Sequence, residues 1–156
     1  MGILMRNLIL IIALFSLSYS DTYTFLVNKY DKEMELESKI IKKITNITVK
    51  QKVVLFIPKI TKSEVKFYSK LFTLSNNCEE ANFIFVKKNI TKDSLCKNKS
   101  GKLYFTNNYK KLLNNKDYFG AFFWSKSRPN IVFIKKRLDK MLISLPNSYK
   151  QFIEDI

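Results

Sequence analysis

Residues 124–129, Trp-Ser-Lys-Ser-Arg-Pro, bring together the side chains of this chain that are best suited to recognising a charged partner. Arg128 is one of only three arginines against 25 lysines, and a guanidinium makes a planar, two-pronged contact that an ammonium group cannot make. Ser125 and Ser127 add hydroxyls, and Trp124 is the only tryptophan. The segment is therefore a candidate site for a carboxylate, a phosphate or a partner's acidic loop. The alternative is an ordinary turn whose tryptophan packs in the core.

Side chains for catalysis are scarce. The absence of histidine removes the commonest general base, and with it the Ser-His-Asp and Cys-His nucleophile systems. Glycine occurs only at Gly2, Gly101 and Gly120, so the sequence contains neither a phosphate-binding loop nor a dinucleotide fingerprint. We therefore expect a non-enzymatic protein with no catalytic residue and no cofactor.

The neighbours of residues 124–129 indicate how the segment is positioned. Apolar and aromatic residues at 118–124 predict a strand, residues 125–129 a turn, and residues 130–134 a second strand. The candidate site would then lie at the tip of a late β-hairpin.

Strand and helix patterns alternate through the preceding chain. Short apolar runs predict buried strands at 53–57, 83–86 and 103–106, and residues 22–27 predict a first strand or an extended arm. Helical spacing covers residues 31–46, 108–113, 136–141 and 147–153, and Thr61 with Glu64 forms a capping-box signature for a further helix. This alternation predicts an α/β sandwich in which a mixed β-sheet is flanked by helices.

Residues 1–20 have the order of a secretory signal peptide. Arg6 precedes an apolar run at 8–17, and small residues precede Asp21. The apolar run has about ten residues, whereas a membrane-spanning helix needs roughly 20. We expect cleavage before Asp21, a single periplasmic domain at residues 21–156, and no transmembrane segment in the mature protein.

Cys78 and Cys96 are the only cysteines. An even number of cysteines in an exported protein predicts a disulfide, which would contribute about 3 kcal/mol in the chain-entropy model. Two cysteines without histidine do not supply the usual four ligands of a zinc site, so we expect no metal.

The formal net charge is +15 at pH 7, and about +14 remains once Arg6 is removed with the signal. Such a charge suits nucleic acid, anionic lipid or an acidic protein face. Lysine is spread along the chain, and no pattern typical of a nucleic-acid-binding module is visible, so we do not expect nucleic acid as the partner. The alternative is that AT-rich coding favours lysine on a solvated surface without function.

The second half of the chain resembles the YfiR-like family of small periplasmic regulators. The matching text is ANFIFV, then KLYFTNNYKKLL, then GAFFWSKSRPNIVFIKKRLDKMLISLPNSYKQFI. The closest parallels are Gly120, Phe122, Phe123, Arg128, Ile131, Phe133, Ile143 and Leu145. The basic run Lys135, Lys136 and Arg137 departs from the family, which tends to place Asn and small residues there.

The resemblance implies a non-enzymatic protein that binds the periplasmic domain of an inner-membrane signalling protein, such as a diguanylate cyclase or a sensor kinase. A second hypothesis is a periplasmic module that binds a small anion through Trp124, Ser125, Ser127 and Arg128. A third is electrostatic binding of anionic lipid, cell-wall polymer or extracellular DNA.

Overall fold

The computed structural model describes residues 20–90 and 96–156, and it describes side chains from residue 29 onward. The chain divides into two units between Glu37 and Ser38. The second unit, Ser38–Ile156, contains the whole β-sheet and all the cavities discussed below.

Helix α1, Ser20–Thr48, begins in the first unit and ends in the second. The strand or extended arm predicted at residues 22–27 is wrong, because these residues are helical. A short apolar run does not by itself distinguish a strand from a helix, and this one continues into the helix predicted at 31–46. The predicted signal peptide lies outside the described residues, apart from Ser20. In the described ranges, no helix has both the length and the apolar character needed to cross a membrane.

A seven-stranded mixed sheet forms the centre of the second unit. The strands are β1 Val54–Phe56, β2 Thr73–Leu74, β3 Phe83–Val86, β4 Leu103–Thr106, β5 Tyr118–Ser125, β6 Arg128–Ile134 and β7 Ile153–Glu154. Their order in space is β2-β1-β3-β4-β5-β6-β7, and every pair is parallel except the antiparallel pair β5 and β6. The predicted α/β class, mixed sheet and late hairpin are confirmed.

Short helices fill the connections. They are α2 Lys62–Tyr68, α3 Tyr109–Asn114, α4 Lys135–Lys140 and the 3₁₀ helices Cys78–Glu80 and Asn147–Phe152. The capping box at the start of α2 is present, because the Glu64 amide donates to Thr61 Oγ1 over 3.3 Å and the Thr61 amide donates to Glu64 Oε2 over 2.8 Å. This reciprocal pairing satisfies two backbone donors and begins α2, the next element after β1.

Apolar side chains cover both faces of the sheet, as expected when parallel strands have helices on either side. One face carries six fully buried phenylalanines, namely Phe83, Phe85, Phe105, Phe119, Phe122 and Phe133. The other face carries mainly smaller aliphatic residues and two tyrosines, including Ile84, Val86, Tyr104, Tyr118, Ala121 and Val132. The rings of Phe105 and Phe119 are 5.4 Å apart, so neighbouring strands are joined by aromatic contacts as well as by backbone hydrogen bonds.

A β-bulge interrupts the pairing of β4 with β5. Tyr104 pairs with Tyr118, but the next residue of β4, Phe105, pairs with Gly120, so Phe119 is an extra residue in β5. The alternation of side chains along β5 shifts by one at this point, and Phe119 and Phe122 both pack in the phenylalanine face. The bulge therefore decides which side chains of β5 beyond Phe119 lie on the phenylalanine face and which lie on the opposite face of the sheet.

Gly120 lies at the bulge, where no side chain fits. A Cβ atom there would lie 2.7 Å from the Val132 carbonyl oxygen and 2.8 Å from ring atoms of Phe105 and Phe133. Since the carbonyl belongs to the ladder between β5 and β6, it cannot move without breaking strand pairing.

The predicted disulfide between Cys78 and Cys96 is present, with its Cα atoms 5.3 Å apart. The Glu79 carboxylate accepts a hydrogen bond from the Lys97 amide over 2.9 Å. The Lys102 ammonium donates to the carbonyls of Glu79 and Ala81 over 2.7 and 2.8 Å. These bonds and the cross-link hold the segment before β3 against the segment before β4.

We expect Gly120→Ala to lower the free energy of unfolding by about 3 kcal/mol, because the new methyl group meets a backbone carbonyl that cannot yield. Gly101→Ala is the matched control: nothing lies within 4 Å of its Cβ position, and only its φ of +68° opposes the change, at about 1 kcal/mol. Urea denaturation measures both. Equal losses in the two variants would contradict this account of Gly120.

Candidate binding site

The β5–β6 hairpin extends beyond the rest of the sheet. Strand β4 pairs with β5 only as far as Ala121, and β7 pairs with β6 only at Phe133 and Ile134. Beyond those points, residues 122–125 of β5 pair only with residues 128–131 of β6 among the described strands. The distal hairpin is therefore a two-stranded ribbon, and no other described strand pairs with either of its outer edges.

The turn at the end of the ribbon is strained. Lys126 and Ser127 are its two central residues, and both have left-handed backbone, with φ of 48° and 60°. This is the φ pattern of a type I′ turn, which strongly prefers Asn-Gly. A residue with a Cβ atom costs about 1 kcal/mol or more in the left-handed conformation. Lys126 and Ser127 therefore both lower the stability of the protein.

Trp124 is neither fully exposed, as a binding residue at the tip would be, nor packed in the core, as in an ordinary turn. Its ring packs edge-on against the buried Phe122, with ring centres 5.7 Å apart, yet the residue is 37% exposed. Phe122 anchors the indole at the rim of the phenylalanine face, while the rest of the ring faces solvent. An exposed tryptophan that is held in one orientation is a common anchor for a protein partner.

The two arginines of the second unit differ in their surroundings. Arg137 Nη1 donates to the carbonyls of Leu112, Asn115 and Tyr118 over 2.7, 3.0 and 2.7 Å, and partial burial lowers the pKa of its guanidinium. Arg137 therefore ties α3 to the start of β5. The Arg128 side chain is exposed, and the described part of the chain offers it no hydrogen bond or ion pair. Its guanidinium is available to a partner.

Contacts at the base of the ribbon support the hairpin. The Tyr109 ring lies 5.3 Å from that of Phe123, and the Tyr109 hydroxyl donates to Glu154 Oε2 over 3.1 Å. Burial and this carboxylate raise the pKa of Tyr109, so its hydroxyl stays a donor at neutral pH. The base is thus connected to α3 on one side and to β7 on the other.

The usual ligand crevice of an open parallel sheet is filled by an ion pair. That crevice lies beyond the carboxyl ends of the strands where the strand order reverses, here between β1 and β3. Lys87 directly follows β3, and its ammonium donates to Glu64 on the helix after β1. The same ammonium lies 5.5 Å from the centre of the Tyr68 ring. The crevice is therefore occupied by the protein's own charges.

Four cavities of about 270 to 500 Å³ lie elsewhere in the second unit. None of them is lined by Trp124, Ser125, Ser127 or Arg128. The hairpin tip holds all four predicted site residues within one turn and its flanking strand ends, but as an exposed surface rather than a pocket. The cavity of about 500 Å³ is lined by three lysines that the sequence did not single out.

Comparisons of the chain with protein-family models, with curated proteins and with solved structures found no match. The resemblance to the YfiR-like family therefore stays a prediction.

We expect the double substitution Lys126→Asn and Ser127→Gly to stabilise the protein by about 1 to 2 kcal/mol, because Asn-Gly adopts the left-handed turn with less strain. Thermal unfolding followed by circular dichroism measures the change. An unchanged or lowered melting temperature would show that Lys126 and Ser127 are not strained.

Glu64 provides a prediction about pH. Burial alone would raise its pKa, but Lys87 and the hydrogen bonds with Thr61 lower it below the ordinary value of 4.5. The ionised carboxylate therefore stabilises the fold fully above about pH 4.5, and the stabilisation is lost as the pH falls through the folded-state pKa.

We expect Glu64→Gln to reduce the free energy of unfolding by about 3 kcal/mol at pH 7, because Lys87 loses its buried partner. The difference from the wild type should shrink below pH 4.5. Denaturant titrations at pH 7 and pH 3 test this, with Asp155→Asn as the control, since Asp155 and Lys136 form an exposed pair at 3.9 Å. A difference that is constant with pH would refute the role of the ionised carboxylate.

Proposed function

We propose that this protein is an exported, non-enzymatic regulator that docks on the periplasmic domain of an inner-membrane signalling protein through the tip of the β5–β6 hairpin. The observation that carries the proposal is the unpaired ribbon, which ends in an exposed tryptophan and an arginine without a partner among the described residues.

The composition of the tip supports a protein partner. Tryptophan and arginine are enriched among the residues that dominate binding energy in protein interfaces. Trp124 is already held by Phe122, so it loses little freedom on binding. The edges of the ribbon also offer backbone donors and acceptors, to which a partner can add a strand.

The charge of the tip indicates the chemistry of the partner surface. Lys126 and Arg128 lie at the turn, and residues 122–131 include no aspartate or glutamate. A partner surface with carboxylates beside an apolar pocket would accept the guanidinium and the indole together.

Export is supported by the cross-link between Cys78 and Cys96, because disulfides persist in oxidising compartments and are rare in the cytosol. The hydrogen-bond network around Glu79 keeps both flanking segments in place, so the disulfide belongs to the folded structure. The periplasm is the compartment that places a bacterial exported protein next to the outer face of the inner membrane.

Regulation by docking requires different affinities for two states of the receptor. If this protein binds one receptor state about 100-fold more tightly than the other, it shifts the equilibrium between the two states by about 2.7 kcal/mol. That shift is enough to reverse a balance of roughly 10:1 between them. A small, rigid hairpin suits this role, because little binding energy is spent on ordering it.

A small-anion site at Trp124, Ser125, Ser127 and Arg128 is the alternative function. It has less support, because the serine hydroxyls and the guanidinium lie on an exposed tip and line none of the four cavities. A small ligand on such a tip would stay largely in water and gain little from burial.

The partner can be identified by placing a photo-crosslinking amino acid at Ser127 in the native cell, with the same group at Lys116 as a control, since Lys116 is exposed and lies before β5, at the end of that strand opposite the turn. A membrane signalling protein that is crosslinked from Ser127 alone would then be expressed as its isolated periplasmic domain. Equal crosslinking from both positions, or from neither, would reject the hairpin as the docking site.

We expect Trp124→Ala and Arg128→Ala each to weaken binding to that domain by tenfold or more, because each removes an anchor of the interface. Arg128→Lys keeps the charge but loses the planar fork, so it should recover only part of the affinity. Calorimetric titration measures the dissociation constants, and Lys116→Ala is the control. Wild-type affinity in both hairpin variants would contradict the proposal.

A further inference from the structure

A second feature of the molecule lies at the opposite end of the sheet from the hairpin tip. It is the groove of about 500 Å³ that Lys42, Lys52 and Lys70 line. Lys52 lies just before β1, and Lys70 lies between α2 and β2, so the groove opens at the amino ends of these parallel strands. The hairpin tip lies beyond the carboxyl end of β5.

The lining of the groove is positively charged. It includes the three lysines but no aspartate or glutamate. The described part of the chain gives none of these three ammonium groups a carboxylate partner, whereas Lys87 and Lys99 are paired with Glu64 and Asp117. Three like charges around one cavity repel each other, and a bound anion would relieve that repulsion.

Lys42 is held at the wall of the groove rather than extended into solvent. It is only partly exposed, and its ammonium lies 5.1 Å from the centre of the Phe72 ring, which also lines the groove. This cation–π contact fixes the position of one charge at the apolar side of the cavity. The other two lysines are exposed at its rim.

Uncharged donors complete the lining. Asn46 and Gln51 carry side-chain amides, and Ser69 and Thr73 carry hydroxyls. These groups can donate to the oxygen atoms of an anion once the lysines have attracted it. A cavity of about 500 Å³ has the size of a small-molecule site and exceeds the volume of a single phosphate.

Helix termini do not account for all three lysines. Helices α1 and α2 both end beside the groove, and basic side chains stabilise the last turn of a helix. However, the last turn of α1 contains no basic residue, and Lys42 lies further back in the helix. Because the helix-dipole effect fades within one turn, it does not explain the charge at Lys42.

We propose that this groove binds a small, multiply charged oxyanion with phosphate or carboxylate groups. Lys42, Lys52 and Lys70 hold its charges, and Phe72 and Leu71 contact its apolar part. This site is independent of the proposed function, since it shares no residue with the hairpin.

Calorimetric titration of the full protein with inorganic pyrophosphate and, separately, with citrate tests the proposal. We expect one-to-one binding of at least one of these anions, and weaker binding at high salt because part of the attraction is screened. The preferred anion distinguishes a phosphate-bearing ligand from a carboxylate-bearing one. Absence of binding by both anions would overturn the proposal.

Two triple variants separate the groove from general charge. Replacing Lys42, Lys52 and Lys70 by Gln should weaken binding at least tenfold, because three charge-assisted contacts are lost. Replacing the exposed Lys62, Lys88 and Lys116 by Gln removes the same charge outside the groove, and it should change the affinity by less than about twofold. Equal weakening in both variants would show a general effect of charge and overturn the groove as the site.

Two further measurements do not depend on how well the groove variant folds. Amide chemical-shift changes in the wild-type protein during the pyrophosphate or citrate titration should centre on Ser69, Thr73 and Gln51, and changes centred elsewhere would refute the site. Without anion, the single variant Lys52→Gln should melt at the wild-type temperature or above it, because it relieves repulsion and, unlike Lys42 and Lys70, Lys52 makes no cation–π contact with a described ring. A lower melting temperature of Lys52→Gln would contradict the repulsion among the groove lysines and overturn the argument from charge.

Discussion

The close packing of β4, β5 and β6 at Gly120 is the constraint on which the candidate binding site depends. At this residue the sheet changes from parallel to antiparallel pairing, and the Val132 carbonyl and the rings of Phe105 and Phe133 leave no space for a Cβ atom. The adjacent bulge at Phe119 shifts the alternation of β5. With that shift, Phe122 reaches the phenylalanine core, and Trp124, two residues further along, packs on Phe122 at its rim. Without it, the same sequence would turn Trp124 to the opposite face.

Several basic side chains hold the fold together from within. Arg137 Nη1 donates to three carbonyl oxygens and so ties α3 to the start of β5. Lys102 links two carbonyls before β3, and Lys87 pairs with Glu64. The guanidinium of Arg128, in contrast, is exposed and makes no hydrogen bond or ion pair with the described residues. Its role in docking is a proposal that rests on this exposure.

Much of the fold could be predicted from the sequence, because its central strands are short apolar runs with clear ends. Strands β3 and β4 lie at the residues predicted for them, and the capping box at Thr61 marks the start of α2. The edge strands β2 and β7 have two residues each, too few to carry a periodic signal. The β-branched and aromatic side chains at residues 22–27 predict a strand or an extended arm, yet the long helix α1 includes these residues.

The residues of the proposed hairpin site come from the sequence, whereas the shape of the hairpin around them comes from the fold. Composition alone singled out Trp124 and Arg128, whereas the strain of the turn and the free edges of the ribbon depend on strand register. The lysine groove was not predictable, since Lys42, Lys52 and Lys70 come from three separate segments that only the fold brings to one cavity. Lysines that look evenly spread along a sequence can still converge in space.

The positions of the two proposed sites limit how they can influence each other. The hairpin tip and the lysine groove lie at opposite ends of the parallel strands and share no residue, so a protein partner and a small anion can bind at the same time. Coupling between them would need an element with two arrangements that both ligands bias. The sheet between them is a poor candidate, because its phenylalanine face is tightly packed and Gly120 leaves no room for a shift of β5. The packing of the sheet therefore favours independent binding at the two proposed sites, in which anion occupancy would change the charge and stability of the protein but not its affinity for the proposed receptor.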